Sequence, residues 1–441
     1  MNGAAVAGEG TGAAGSTAGT GAAGGAWRGG WGQGVAYGAL GLPLAFVALP
    51  LYVILPNHYA TAFGVPLATL GALLLGARLL DALADPWIGR LADGWLARSA
   101  RTLLVVAAIA AVFVALGFHG LFFPPVQGGG ALLAWCAALL AITYLSYSVL
   151  AVLHQAWGAR LGGNEAVRAR IVSWREGLAL VGVLIASVLP SVAGLAATSA
   201  VFAAALAVAL VLLARAPQPR LGASADGQPL MWAPLATPAF RRLLAIYLVN
   251  GIASAVPATL VLFFIDDRLG ASAQQPLFLA AYFAAGALSM PLWVRAVARL
   301  GLARTWLAGM LLAIVTFAWA LGLGQGDVAG YIAVCIASGG ALGADLALPG
   351  ALLAGLIRRA GHSERLEGAY FGWWNFATKL NLALAAGIAL PLLALFGYTP
   401  GARDPAALEA LSLAYCLLPC LLKLVAAALL YLLWIRIESD S

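Results

Sequence analysis

Charge is what this sequence has least of. Only 9% of its 441 residues are Asp, Glu, Lys or Arg, against about a quarter in an ordinary soluble domain. With 63% hydrophobic residues beside it, that scarcity excludes a water-soluble globule and indicates an integral membrane protein. Cysteine is scarce as well: Cys136, Cys335, Cys416 and Cys420 all lie inside apolar runs, which excludes a disulfide framework and suits buried thiols. The four histidines show no metal-ligand spacing, and no loop is long enough for a soluble catalytic domain, so an enzyme is disfavoured and no cofactor is expected. Lysine occurs twice, at Lys379 and Lys423, whereas every loop cation is an arginine. Residues 1–33, rich in Gly, Ala, Ser and Thr, have neither a basic n-region nor an apolar h-region, and read as a disordered cytoplasmic tail, not a signal peptide.

What the sequence does have is long apolar runs, each near the roughly 20 residues that cross a hydrocarbon core as a helix. They lack the period-two alternation of barrel strands, so helices are expected. Spans are predicted near 35–57, 66–88, 102–124, 130–155, 174–190 and 194–214, and again near 242–265, 274–298, 304–323, 328–356, 371–397 and 408–436. Arginine supports this count. Of 24 basic residues, 19 fall on the side that bears the N-terminus when these spans are threaded, which makes that side cytoplasmic and the number of spans even. The same distribution explains the net charge of +7 as a topology signal, with no nucleic acid as partner. The expected organisation is a tail (1–33), a six-helix half (34–215), a central cytoplasmic loop (216–240), a second six-helix half (241–436) and a short tail (437–441). This all-α, six-plus-six arrangement resembles the major facilitator superfamily, whose halves rock about a midplane site. A channel is disfavoured, because no selectivity-filter-like ring is present.

An ionised side chain at a bilayer centre costs about 2.5–3.5 kcal/mol on insertion scales, so the few that persist need a partner or a role. Arg78, Asp81 and Asp85 fall in the second predicted span at i, i+3 and i+7, on one helical face that has to look into the bundle. Two carboxylates there suit a hard monovalent cation or a shared proton; a structural ion pair to Arg78 with a helix-end cap is the plainer alternative. Pro86 is expected to break the helix beside Asp85. Lys379 lies in an apolar part of the eleventh span, placed either to exchange partners with the carboxylates or to snorkel to the interface. Lys423 reads as structural, and Asp345 has no assigned role.

These residues resemble a known family. The stretch "ARLLDALADPWIGRLADG" matches the helix-two signature R-x-x-D-x-x-x-D-P-x-x-G of the glycoside–pentoside–hexuronide:cation symporters, the melibiose-permease branch of that superfamily. "GNEAVRARIVSWREGLALVG" is similar to the family's approach to helix five, and "EGAYFGWWNFATKLNLAL", followed by "GYTPG", to its helix eleven. The resemblance implies symport of a sugar or glycoside with Na⁺, Li⁺ or H⁺, cation binding by Asp81 and Asp85, and charge coupling by Arg78, Lys379 and Arg175. Gly89 and Asp93 resemble the superfamily's gating loop between helices two and three. Helices one and four lack the acids that hold galactosides in the family, with an apolar residue near Leu150. His154, Gln155, Trp157, Trp373 and Asn375 are then the candidate solute contacts. That departure leaves a lysophospholipid or other amphipathic solute as the alternative cargo. A monomer in the plasma membrane is expected, the inner membrane in a bacterium, with cation, solute and lipid as its partners.

Overall fold

The computed structural model describes residues 27, 29–126, 128–221, 231–399 and 401–439. The predicted tail at 1–26 and 28, the middle of the predicted central loop at 222–230, and residues 440–441 lie outside the described residues. Helix is the only regular structure among the described residues. A short helix, Trp31–Gly38, leads into α1 (Gly41–Phe63). Then follow α2 (Leu67–Arg98), α3 (Ala100–Phe122) and α4 (Gly129–Arg160). The next stretch, Glu165–Ala214, turns at Gly194, whose φ of 78° is open to glycine without a side-chain clash; its limbs 165–193 and 195–214 are α5 and α6. The second half holds α7 (Pro238–Arg268), α8 (Gln275–Leu300), α9 (Leu302–Ala320), α10 (Val328–Arg359), α11 (Glu367–Leu395) and α12 (Pro405–Ile435). Ten helical stretches among the described residues are long and apolar enough to cross a membrane, Glu165–Ala214 counting once. α2, which carries Arg78, Asp81 and Asp85, is not among them.

Several helices run past their predicted ends, α2, α5 and α11 among them. α2 continues to Arg98 instead of residue 88, α5 starts at Glu165 instead of 174, and α11 starts at Glu367 instead of 371. Hydropathy marks where lipid stops, whereas caps decide where a helix stops. Ser99 Oγ accepts the Thr102 amide at 3.0 Å to begin α3, and Asn164 Oδ1 accepts the Val167 amide at 3.0 Å to begin α5. Gly89 and Asp93 therefore sit on α2 itself and not in a loop. Pro86 does not break α2 either; it removes one N–H donor and the helix carries through.

The halves meet along α2 against α11 and along α5 against α8 and α10. One buried cluster runs through both halves, and a second fills the far end of the C-terminal half. At that end the "GYTPG" motif has a structural use: the Tyr398 hydroxyl and the Gly401 amide both donate to the Asp267 carboxylate at the end of α7.

Candidate functional site

Asp81 and Asp85 face inward from α2, 6% and 0% exposed. The residue they meet is Lys379 of α11, whose Nζ lies 2.7 Å from Asp81 Oδ2 and 2.7 Å from Asp85 Oδ2. It also donates to Ser148 Oγ of α4 at 2.8 Å, and Ser148 Oγ in turn donates to Asp81 Oδ1 at 2.6 Å. Lys379 thus does not snorkel; it ties the C-terminal half to two helices of the N-terminal half. Two carboxylates share one ammonium, which leaves one negative charge in excess, at a place where charge is costly. The lysine side chain is 21% exposed while that of Asp85 is sealed.

Arg78, whose pairing with one of these acids is the plainer alternative, forms no ion pair with either of them. Its guanidinium carbon lies 2.9 Å from the ring centroid of Tyr52, on a π-helical turn of α1, and 5.5 Å from that of Tyr144 on α4. A planar delocalised cation can be held by aromatic faces in this way. Arg175 pairs with its own neighbour, Glu176, at 2.6 Å, and is not part of the lysine–aspartate cluster. Of the three expected coupling residues, only Lys379 touches the aspartates.

The end of the bundle where α2 ends and α11 begins is closed by charges from one half capping helices of the other. Asp93 accepts the amides of Gly368 and Ala369 at 2.7 and 2.8 Å, at the start of α11. Glu165 accepts the Leu302 amide, at the start of α9, at 2.9 Å. Both carboxylates sit at the positive end of a helix dipole. Arg160 of α4 completes the seal, with Nη2 2.9 Å from Glu367 and 3.7 Å from Asp93. Gly89 lets α2 and α11 touch: a Cβ added there would stand 2.2 Å from the Gly368 carbonyl oxygen.

Most of the expected solute contacts are engaged in packing. His154 Nε2 bonds the Tyr37 carbonyl at 2.8 Å, and the Tyr37 hydroxyl donates to the His154 carbonyl at 3.0 Å, which locks the lead-in helix to α4. Trp157 donates to Pro217 O at 2.9 Å and Trp373 to Met231 O at 2.9 Å, so both indoles fasten the connection between the halves. Asn375 is buried on α11, and Gln155 Oε1 is buried without a hydrogen-bond partner among the described residues. Replacing His154 by Ala is expected to cost about 2–4 kcal/mol, from one broken hydrogen bond and a cavity. Thermal unfolding in detergent should show the destabilisation, and competition profiles should keep their order.

Sequence reasoning missed a second charged cluster inside the C-terminal half. Lys423 of α12 lies 2.7 Å from Asp345 of α10, and also donates to Asn250 and Ser254 of α7 at 3.0 and 2.9 Å. Trp306 of α9 donates to Asp345 at 2.9 Å. Both charges were visible in the sequence, but nothing there joined them.

These features invite comparison with known proteins. A family model described as MFS/sugar transport protein matches residues 34–437. The chain belongs to that family. Among curated proteins no significant match was found. Among solved structures, a bacterial homologue of the iron transporter ferroportin, in an outward-facing state, aligns with a TM-score of 0.66 at 16% identity, covering 90% of this chain and 99% of that one. A single-residue variant of the E. coli fucose:proton symporter FucP aligns with a TM-score of 0.64 at 15% identity over 90% and 97% of the two chains. The human organic anion transporter MFSD10 (TETRAN) aligns with a TM-score of 0.63 at 19% identity over 89% and 98%. At these identities the likeness is one of fold, that of the major facilitator superfamily. This member of the MFS/sugar transport family is a multi-pass membrane transporter and not an enzyme.

Proposed function

We propose that this protein is a secondary transporter of the glycoside–pentoside–hexuronide:cation branch, coupling Na⁺, Li⁺ or H⁺ to a small organic solute, a sugar or glycoside, by alternating access. The observation that supports this reading is the three-residue cluster of Asp81, Asp85 and Lys379, drawn from both halves and one negative charge in excess. Without a coupling ion, Lys379 holds both carboxylates and α2 against α11. A bound cation or proton neutralises the excess charge and lets Lys379 release one partner. Coupling is then a linkage: the ion favours the conformation that binds solute, and solute raises ion affinity by the same factor. The protein acts as a monomer in the plasma membrane, with both termini cytoplasmic.

An amphipathic cargo such as a lysophospholipid is the second reading. It is favoured by α1 and α4, which offer no acidic ligand, and by His154 and Trp157, which are spent on packing. Proteoliposomes loaded or energised with Na⁺, Li⁺ or H⁺ gradients, and offered radiolabelled melibiose, methyl glucoside or lysophosphatidylcholine, test both readings. Gradient-driven accumulation of a sugar supports the first and of the lysolipid the second. Saturable counterflow that ignores every cation would remove symport.

A further inference from the structure

The C-terminal half holds a cavity of about 330 Å³, lined by α7, α8, α9, α10 and α12 and, among the described residues, by none of the N-terminal half. That volume falls within the roughly 300–1,000 Å³ of small-molecule sites. Its walls are mostly apolar and aromatic, with Phe278, Tyr282, Phe283, Phe317 and Tyr415 among them. Its polar corner is formed by Ser254, Asp345 and Lys423.

We propose that this cavity is a binding site, separate from the α2–α4–α11 cluster, for a net-neutral solute with an aromatic or apolar body and a few hydroxyl groups at one end. Neutrality follows from the corner's own balance. Asp345 and Lys423 cancel at 2.7 Å, and each is braced by neutral donors or acceptors: Trp306 and Asn250 hold Asp345 Oδ1, while Asn250 and Ser254 accept from Lys423. A ligand that brought a net charge would leave it uncompensated among apolar walls. Ser254 itself donates to Asp345 Oδ2 at 3.2 Å and Lys423 has all three donors engaged, so a ligand hydroxyl meets the corner as a donor, to the lone pair left on Ser254 Oγ, without breaking the pair. The flat body stacks against the surrounding rings. The site stands whether or not the protein is cation-coupled.

The ion pair itself therefore acts as the selectivity filter, and removing either partner should change which charge is accepted. Full-length protein in lipid nanodiscs is titrated calorimetrically with phenyl β-D-glucoside, its anionic analogue phenyl β-D-glucuronide, its cationic analogue phenyl β-D-glucosaminide, and glucose. The expected order for the parent protein is phenyl glucoside first, with the two charged analogues and glucose each at least tenfold weaker. D345N, left with an unpaired ammonium, should gain at least tenfold for the glucuronide. K423M, left with an unpaired carboxylate, should gain as much for the glucosaminide. Each gain also shows that its variant is folded. Ser338→Phe, which fills the cavity from α10, should abolish binding of all the phenyl compounds while leaving the thermal transition of the protein in place. A parent protein that binds none of the probes, binds a charged analogue best, or shows no charge inversion in the two variants would overturn the assignment.

Discussion

Asp85→Asn is expected to abolish binding of the coupling ion while leaving the protein folded and inserted. Asp85 is fully buried, and its only charged partner among the described residues is Lys379 at 2.7 Å. In the parent protein the carboxylates outnumber the ammonium by one, and on the proposed mechanism that excess recruits the cation. With asparagine at 85, Lys379 and Asp81 form a balanced pair at 2.7 Å, and the new side chain is neutral, its amide oxygen dipole facing the ammonium. No buried charge is stranded, so the destabilisation of about 3–5 kcal/mol that follows breaking a buried pair is avoided. Lys379→Met is the opposite case. It leaves two carboxylates facing each other, which raises their demand for a counter-ion. Radioactive Na⁺ binding to purified protein, with proton release followed by electrode, reads both. Affinity should fall at least tenfold for Asp85→Asn, about 1.4 kcal/mol or more, and rise for Lys379→Met. Parent-like affinity in Asp85→Asn would remove the cation-site assignment.

The aspartates could be read from the sequence because lipid makes charge conspicuous: a carboxylate in an apolar run has to have a reason, and two on one face share it. Lys379 stood out for the same cause. What the sequence hides is pairing. Arg78 stands three residues from Asp81 and is its obvious neighbour on a helix, yet Tyr52 of α1 takes it. Ser148 could not be singled out, since a serine in a membrane helix is ordinary until the fold brings it within 2.6 Å of a carboxylate. Arg160 read as one more topology arginine, although it is sealed between Asp93 and Glu367. His154 and Trp157 misled in the other direction. Polar and aromatic side chains look like ligands in a one-dimensional reading, and only the positions of Tyr37 and Pro217 show that His154 Nε2 and Trp157 Nε1 are already used. Helix number and order follow from hydropathy and arginine, which are local properties. Partner choice depends on which helices cross, and at what height.

Gly89→Val is expected to open the end that Asp93 and Arg160 close. The added Cβ would meet the Gly368 carbonyl oxygen at 2.2 Å, backbone against which no rotamer can give way. α2 and α11 have to separate there, and separation breaks the amide bonds from Gly368 and Ala369 to Asp93. Hydrogen bonds to a charged group are worth about 1.5–3 kcal/mol each. Breaking both supplies some 3–6 kcal/mol, comparable with the roughly 5.5 kcal/mol that takes a two-state equilibrium from 1:99 to 99:1. The folded halves are untouched, because the bonds that break lie between them, so the effect is a shift of population and not unfolding. Arg98 and Arg365 are exposed at this end and can be exchanged for cysteine, and the native cysteines are buried, so paired spin labels report the gap directly. Pulsed electron resonance should show one short distance in the parent background and a longer one as the major component in the Gly89→Val variant. The uptake rate should fall at least tenfold, since a carrier held open at one end cannot complete its cycle. An unchanged distance distribution would mean that the glycine crossing does not hold this end shut, and the closure would then rest on the Arg160–Glu367 bridge, which Arg160→Leu would open in the same assay.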